Sequence, residues 1–125
     1  MRPLVFDAGA LIALERRNGR ILALIREAIA QQETVHVPAG VVAQVWRGSP
    51  RQHPVIRLLR SKVIRIHPMD EPAAYRIGLL LGATSTSDVV DAHVAVLGRS
   101  LSATVLTSDP EDLRRLAPEL TILEV

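Results

Sequence analysis

Cysteine is absent from the 125 residues. Disulfides and thiolate metal sites are thereby excluded, and the lack fits a reducing compartment. Aromatic residues are nearly as scarce, with one Trp, one Tyr and one Phe, so the core has to be aliphatic. No apolar run reaches the ~20 residues of a membrane span. The first, Leu4 to Leu14, is interrupted by Asp7 and lacks the small-residue cleavage site of a signal peptide. The expectation is a soluble cytoplasmic protein with no membrane partner. Repeats, low-complexity tracts and linkers are missing too, which leaves a single domain over residues 1–125. Negative charge is missing from one long stretch. Between Thr34 and Met69 there is no Asp or Glu, yet the span holds Arg47, Arg51, Arg57, Arg60, Lys62 and Arg65, with His36, His53 and His67. In a chain of net charge +2, such a segment points to a polyanion partner or to a solvated arginine-rich face.

What is present is a globular pattern, 48% apolar. Leu4-Val5-Phe6 reads as a short buried strand ending at Asp7. Ala8 to Arg16 has helical spacing, and Asn18-Gly19 breaks it. Ile21 to Gln31 is a second helix, with Ile21, Leu24, Ile25, Ala28 and Ile29 on one face. Thr34 to Val37 is a strand. Pro38 suits an early helical position, and Val41 to Trp46 continues a short helix. Gly48-Ser49-Pro50 is a loop before a basic helix from about Pro54 to Arg60. Val63 to Ile66 is a third strand. Asp70-Glu71-Pro72 opens a helix to about Ala83. Its Gly78 and Gly82 predict close packing against a neighbour. Asp88 to Gly98 is the next helix, Ala103 to Thr107 a fourth strand, Ser108 to Leu116 a helix and Thr121 to Val125 the last strand. Strands alternating with helices predict an α/β fold, a three-layer sandwich around a mostly parallel five-stranded sheet. Ligands of such sheets bind beyond the carboxyl ends of the strands.

Four acids fall at that edge or can reach it. Asp7 ends the first strand and Asp109 follows the fourth. Asp88 and Asp91 stand three residues apart on the first turn of the helix leading into the fourth strand, so both point the same way. Each has a plain explanation: Asp7 and Asp109 as helix caps, Asp109 with Asp112 as its capping partner, and Asp88 as a complement to the helix dipole. Asp91 resists that account. It sits within Val89-Val90-Asp91-Ala92-His93-Val94-Ala95, where a carboxylate faces inward or into a cleft and is costly unless paired. Carboxylates converging without cysteine make an all-oxygen site, suited to Mg²⁺ or Mn²⁺. Beside a basic surface, the matching reaction is phosphodiester hydrolysis.

The opening Leu4-Val-Phe-Asp7-Ala-Gly-Ala-Leu-Ile-Ala-Leu, the helix after Val37-Pro38, Ser87-Asp88-Val-Val-Asp91-Ala-His93 and Val105-Leu-Thr107-Ser108-Asp109-Pro-Glu-Asp112-Leu113 together resemble a PIN-domain ribonuclease of the VapC toxin type. Their order covers essentially the whole chain. The resemblance implies a Mg²⁺- or Mn²⁺-dependent endoribonuclease of a toxin–antitoxin pair, a homodimer held inactive by a small antitoxin. It also implies that Asp7, Asp91 and Asp109 ligate or support the metal, with Asp88 as a further member. There is one departure. The helix after the second strand usually carries a Glu in the metal site, and the matching position here is Gln44. Gln keeps an acceptor oxygen and loses the charge, so weaker metal affinity is expected.

Other candidates have lesser roles. His93 is expected as a core or cleft-wall histidine. Thr107 and Ser108 are expected to bond a carboxylate or only their own turn. Trp46 is placed in packing or against a partner ahead of stacking on a base. Arg16 and Arg17 join the basic span as candidates to carry a substrate backbone. Two rival functions stand beside the nuclease. One is a binding module for RNA or an antitoxin, its turnover lost with the Glu. The other is a receiver-like phosphoacceptor domain, which needs a late Lys; the only Lys is Lys62.

Overall fold

The computed structural model describes all 125 residues. Five strands, β1 (Leu4–Phe6), β2 (Val35–Pro38), β3 (Ile64–His67), β4 (Thr104–Thr107) and β5 (Thr121–Glu124), form one sheet in the order β3-β2-β1-β4-β5. Every pairing is parallel, so the expected mostly parallel sheet is parallel throughout. Seven helices connect the strands: α1 (Ala8–Glu15), α2 (Gly19–Ala30), α3 (Ala39–Val45), α4 (His53–Leu59), α5 (Glu71–Thr84), α6 (Val89–Ser100) and α7 (Pro110–Leu116), with a short 3₁₀ turn at Pro50–Gln52.

Successive strand residues point to opposite faces. All three residues of β1 and all four of β2 are nonetheless buried. Helices must therefore cover both faces of the sheet centre, which is why these strands read as unbroken apolar runs. The edge strands β3 and β5 are only partly buried. The core is aliphatic as expected, and Phe6 is its one aromatic member.

Helix starts follow local chemistry. Asn18 caps α2, its side-chain oxygen accepting the N–H groups of Arg20 and Ile21. Asp70 caps α5 by accepting the Ala73 N–H at 3.0 Å. Three expectations are corrected. Pro38 ends β2, in register with His67, and precedes α3 instead of lying in it; a strand end tolerates the missing N–H. Gly78 and Gly82 pack against nothing, since a Cβ at either would meet no atom within 4 Å. They lie on an open face of α5 with exposed Tyr75 and Leu79. Finally, His36 and His67 add little to the basic span. Their rings meet across β2 and β3, with Nδ1 to Nε2 at 2.8 Å, and burial pushes both below the usual histidine range. The Arg and Lys side chains of that span are exposed. No helix is long and apolar enough to cross a membrane.

Candidate active site

Two neighbouring strands deliver the first two acids. β1 and β4 pair with Phe6 opposite Leu106, so Asp7 and Asp109 leave the sheet side by side. Strand order reverses here, β2 and β3 lying on one side of β1, β4 and β5 on the other. This is the switch point at which a parallel sheet opens a crevice. α6 leads down into β4, which puts its N-terminus, and Asp91, at the same edge. The resulting groove is lined by Asp7, Gln44, Asp91, Ser108, Asp109 and Asp112, with Ile12 and Leu113 as apolar walls.

The acids differ in what already holds them. Asp7 is the N-cap of α1 and accepts the Ala10 N–H at 3.0 Å. Burial raises its pKa, and hydrogen bonds from Thr107 and the helix start oppose that rise. Asp109 stands at the N-cap position of α7 but makes no side-chain cap bond, so its carboxylate is left for other work. Its N–H donates to the buried hydroxyl of Thr107 at 2.9 Å. Asp109 beside it raises the pKa of Asp112, first by favouring a hydrogen bond to its neutral form and then by like-charge repulsion. Asp91 carries the largest burden. Burial first, then Asp88, Asp112, Asp7 and Asp109, raise it from 3.8 to about 6.

Asp88 stands apart. Its carboxylate caps α6 by accepting the Asp91 N–H at 2.9 Å, and it lines an adjoining hollow with Ser87, Asp91, Asp112 and Arg115. Asp91 and Asp112 form the wall between hollow and groove. The only cation in ion-pair reach of these acids is Arg115, 3.9 Å from Asp112 with both side chains well exposed. That pair adds little charge compensation.

Gly9 permits the groove's narrow floor. A Cβ there would overlap the Ser108 Oγ and stand 2.9 Å from the Ser108 backbone nitrogen. His93 is buried, with its Nδ1 unpartnered, in keeping with a core histidine. Sequence reasoning read Asp112 only as a cap partner and did not single out Arg115 or Gly9. The Asp109–Asp112 spacing repeats that of Asp88 and Asp91, which is the signal that would have marked Asp112.

The donor set suits a hard divalent cation: carboxylate oxygens in excess, no thiolate, and almost no counter-charge. No three of these side chains lie close enough to grip one ion together.

Three comparisons bear on this arrangement. The family model of the PIN domain matches residues 4–118. No curated protein sequence matches the chain. Among solved structures, FitAB bound to an IR36 DNA fragment aligns at 20% identity and TM-score 0.67, covering 97% of this chain and 94% of that one. VapBC2 from Rickettsia felis, bound to a DNA fragment from their promoter, aligns at 13% and 0.68, covering 98% of each chain. FitAcB from Neisseria gonorrhoeae aligns at 19% and 0.66, covering 96% of each. At these identities the likeness is one of fold.

Proposed function

The chain belongs to the PIN-domain family, and we propose that it is a metal-dependent endoribonuclease, the toxin of a toxin–antitoxin pair. PIN domains are generally nucleases. The observation that carries the reading is the convergence of Asp7, Asp91, Asp109 and Asp112 on one groove at the sheet's switch point, with a single exposed guanidinium beside them. The fold shared with FitAB and VapBC2 supports a cognate antitoxin as partner. A homodimer and a cytoplasmic location complete the proposal, the open apolar face of α5 being in keeping with a second copy.

In this reading Asp7, Asp91 and Asp109 would hold Mg²⁺ or Mn²⁺ after drawing closer together, with Asp88 and Asp112 adding charge from the adjoining wall. The ion, when bound, lowers the pKa of water and offsets charge on the scissile phosphate. The chain does the rest by placement. Thr107 anchors the backbone of Asp109 and stands against the carboxylate of Asp7. Gln44 presents an amide that donates to a phosphate oxygen or accepts from a sugar hydroxyl. The exposed arginines from Arg47 to Arg65, with Arg16 and Arg17, carry the backbone. Water attacks phosphorus in line, and no protein nucleophile is required.

One observation favours a second reading. Gln44 lines the groove without a charge, and the acids do not close on an ion by themselves, as in a module that binds RNA or an antitoxin with little turnover. An RNA cleavage assay with Mn²⁺ separates the two. Wild-type activity that vanishes with chelator and in Asp91→Asn supports the enzyme. Activity appearing only in Gln44→Glu supports the binding module, and activity unaffected by chelator sinks the metal mechanism.

A further inference from the structure

The turn leaving α3 is tied down more firmly than its exposure requires. Gln52 is 4% exposed. Its Oε1 accepts the Arg47 N–H at 2.8 Å, and its Nε2 donates to the Val45 carbonyl at 2.7 Å. The two bonds bracket Trp46 on both sides. The Trp46 N–H donates to the Val42 carbonyl at 2.8 Å. The Arg47 guanidinium folds back onto the Ala43 and Trp46 carbonyls at 3.1 and 2.8 Å. Gly48, at φ +70°, then turns the chain in a conformation that favours glycine. The Val45 and Trp46 carbonyls and the Trp46 and Arg47 N–H groups are thus all bonded, while Trp46 is 37% exposed.

A turn tied down in this way, with a part-exposed tryptophan on it, has less ordering cost left to meet on binding. Position and charge select the occupant. Gln44, which lines the acidic groove, stands two residues before Trp46 at the same end of α3, and at that spacing the two side chains leave the helix on different sides. Trp46 also lies inside the acid-free span, next to exposed Arg47 and Arg51. An apolar plate edged by cations suits a nucleobase on its phosphate backbone, because every base has a face to stack and every linkage a charge to neutralise. We propose that Trp46, clamped by Gln52, is a stacking platform for a base of single-stranded RNA on the arginine-edged turn that leaves α3. The proposal rests on RNA being the substrate.

Trp46 is the only tryptophan, so its emission reports this one position. The test titrates the full chain, in chelator and low salt, with a fluorescein-labelled single-stranded RNA, following anisotropy and tryptophan emission together. The expected result is binding accompanied by quenching. Trp46→Ala then weakens binding roughly tenfold or more, Trp46→Phe keeps most of it, and Gln52→Met binds less tightly at unchanged far-UV dichroism. RNA that binds with tryptophan emission unchanged, and equally well to Trp46→Ala, overturns the platform and leaves RNA as substrate. RNA that neither binds nor is cleaved overturns both. Quenching by an added antitoxin peptide but not by bound RNA assigns the indole to a protein partner and overturns the platform.

Discussion

The buried hydroxyl of Thr107 holds Asp109 in place, accepting its backbone N–H at 2.9 Å. The same side chain supports the carboxylate of Asp7, so one residue at the end of β4 orients acids from two strands. Thr107→Val keeps the shape and removes both bonds. It leaves a part-buried N–H and a half-buried carboxylate with one partner fewer. The expected cost is about 1–3 kcal/mol in a urea unfolding curve. The expected loss of RNA cleavage is about tenfold or more, as for other groups that orient metal ligands.

Asp91 makes stability depend on pH. Its pKa is about 6 in the folded chain against an ordinary 3.8, so the folded state binds this proton more tightly than the unfolded state. Asp91 therefore supports folding fully below about pH 4, and that support is lost as pH rises through about 6. Thermal melts in chelator should fall across that window. Asp91→Asn should flatten the fall, melting above wild type at pH 7.5 and level with it at pH 4. A variant that tracks wild type at every pH would sink this account.

Divalent ions should reverse the same penalty. At pH 7.5, Mn²⁺ or Mg²⁺ is expected to raise the melting temperature of wild type by mass action. Gln44→Glu should shift the midpoint of that effect to lower ion concentration, because it adds a carboxylate to the groove. Lowering the pH below about 6 should abolish the effect as protons compete at Asp91. Calorimetric titration with Mn²⁺ checks the order Gln44→Glu tighter than wild type, and wild type tighter than Asp91→Asn.

Gly9 cannot accept even a methyl group without moving the loop after β4. The added carbon would press on the Ser108 side chain and its backbone nitrogen. Gly9→Ala should cost about 1–3 kcal/mol and reduce cleavage. Adding Ser108→Gly should restore part of the stability only, since the contact with the backbone nitrogen remains.

The sheet was legible because its central strands are buried on both faces, which leaves uninterrupted apolar runs at Leu4–Phe6 and Val105–Leu106. Asp7 and Asp109 were legible from their places after those strands. Asp112 was not, because an acid three residues after a cap position reads equally as a capping partner. Only the structure shows that Asp109 leaves that cap unmade. Pro38 misled because its fixed φ suits a strand end as well as a helix start. The glycine pair of α5 misled because small residues permit close packing without requiring it. The Gln52 clamp had no local signal: it depends on a long side chain reaching back five to seven residues.

The order of strands in the sheet has a consequence for synthesis. β1 is made first yet lies in the middle, and its partner β4 comes about a hundred residues later. A growing chain can pair β1 with β2 and β2 with β3, but Asp7 then faces no Asp109 and no Asp112. The groove closes only when α7 has emerged. A ribosome making this protein therefore carries an incomplete groove until α7 has been added, and its acids come together in one late step.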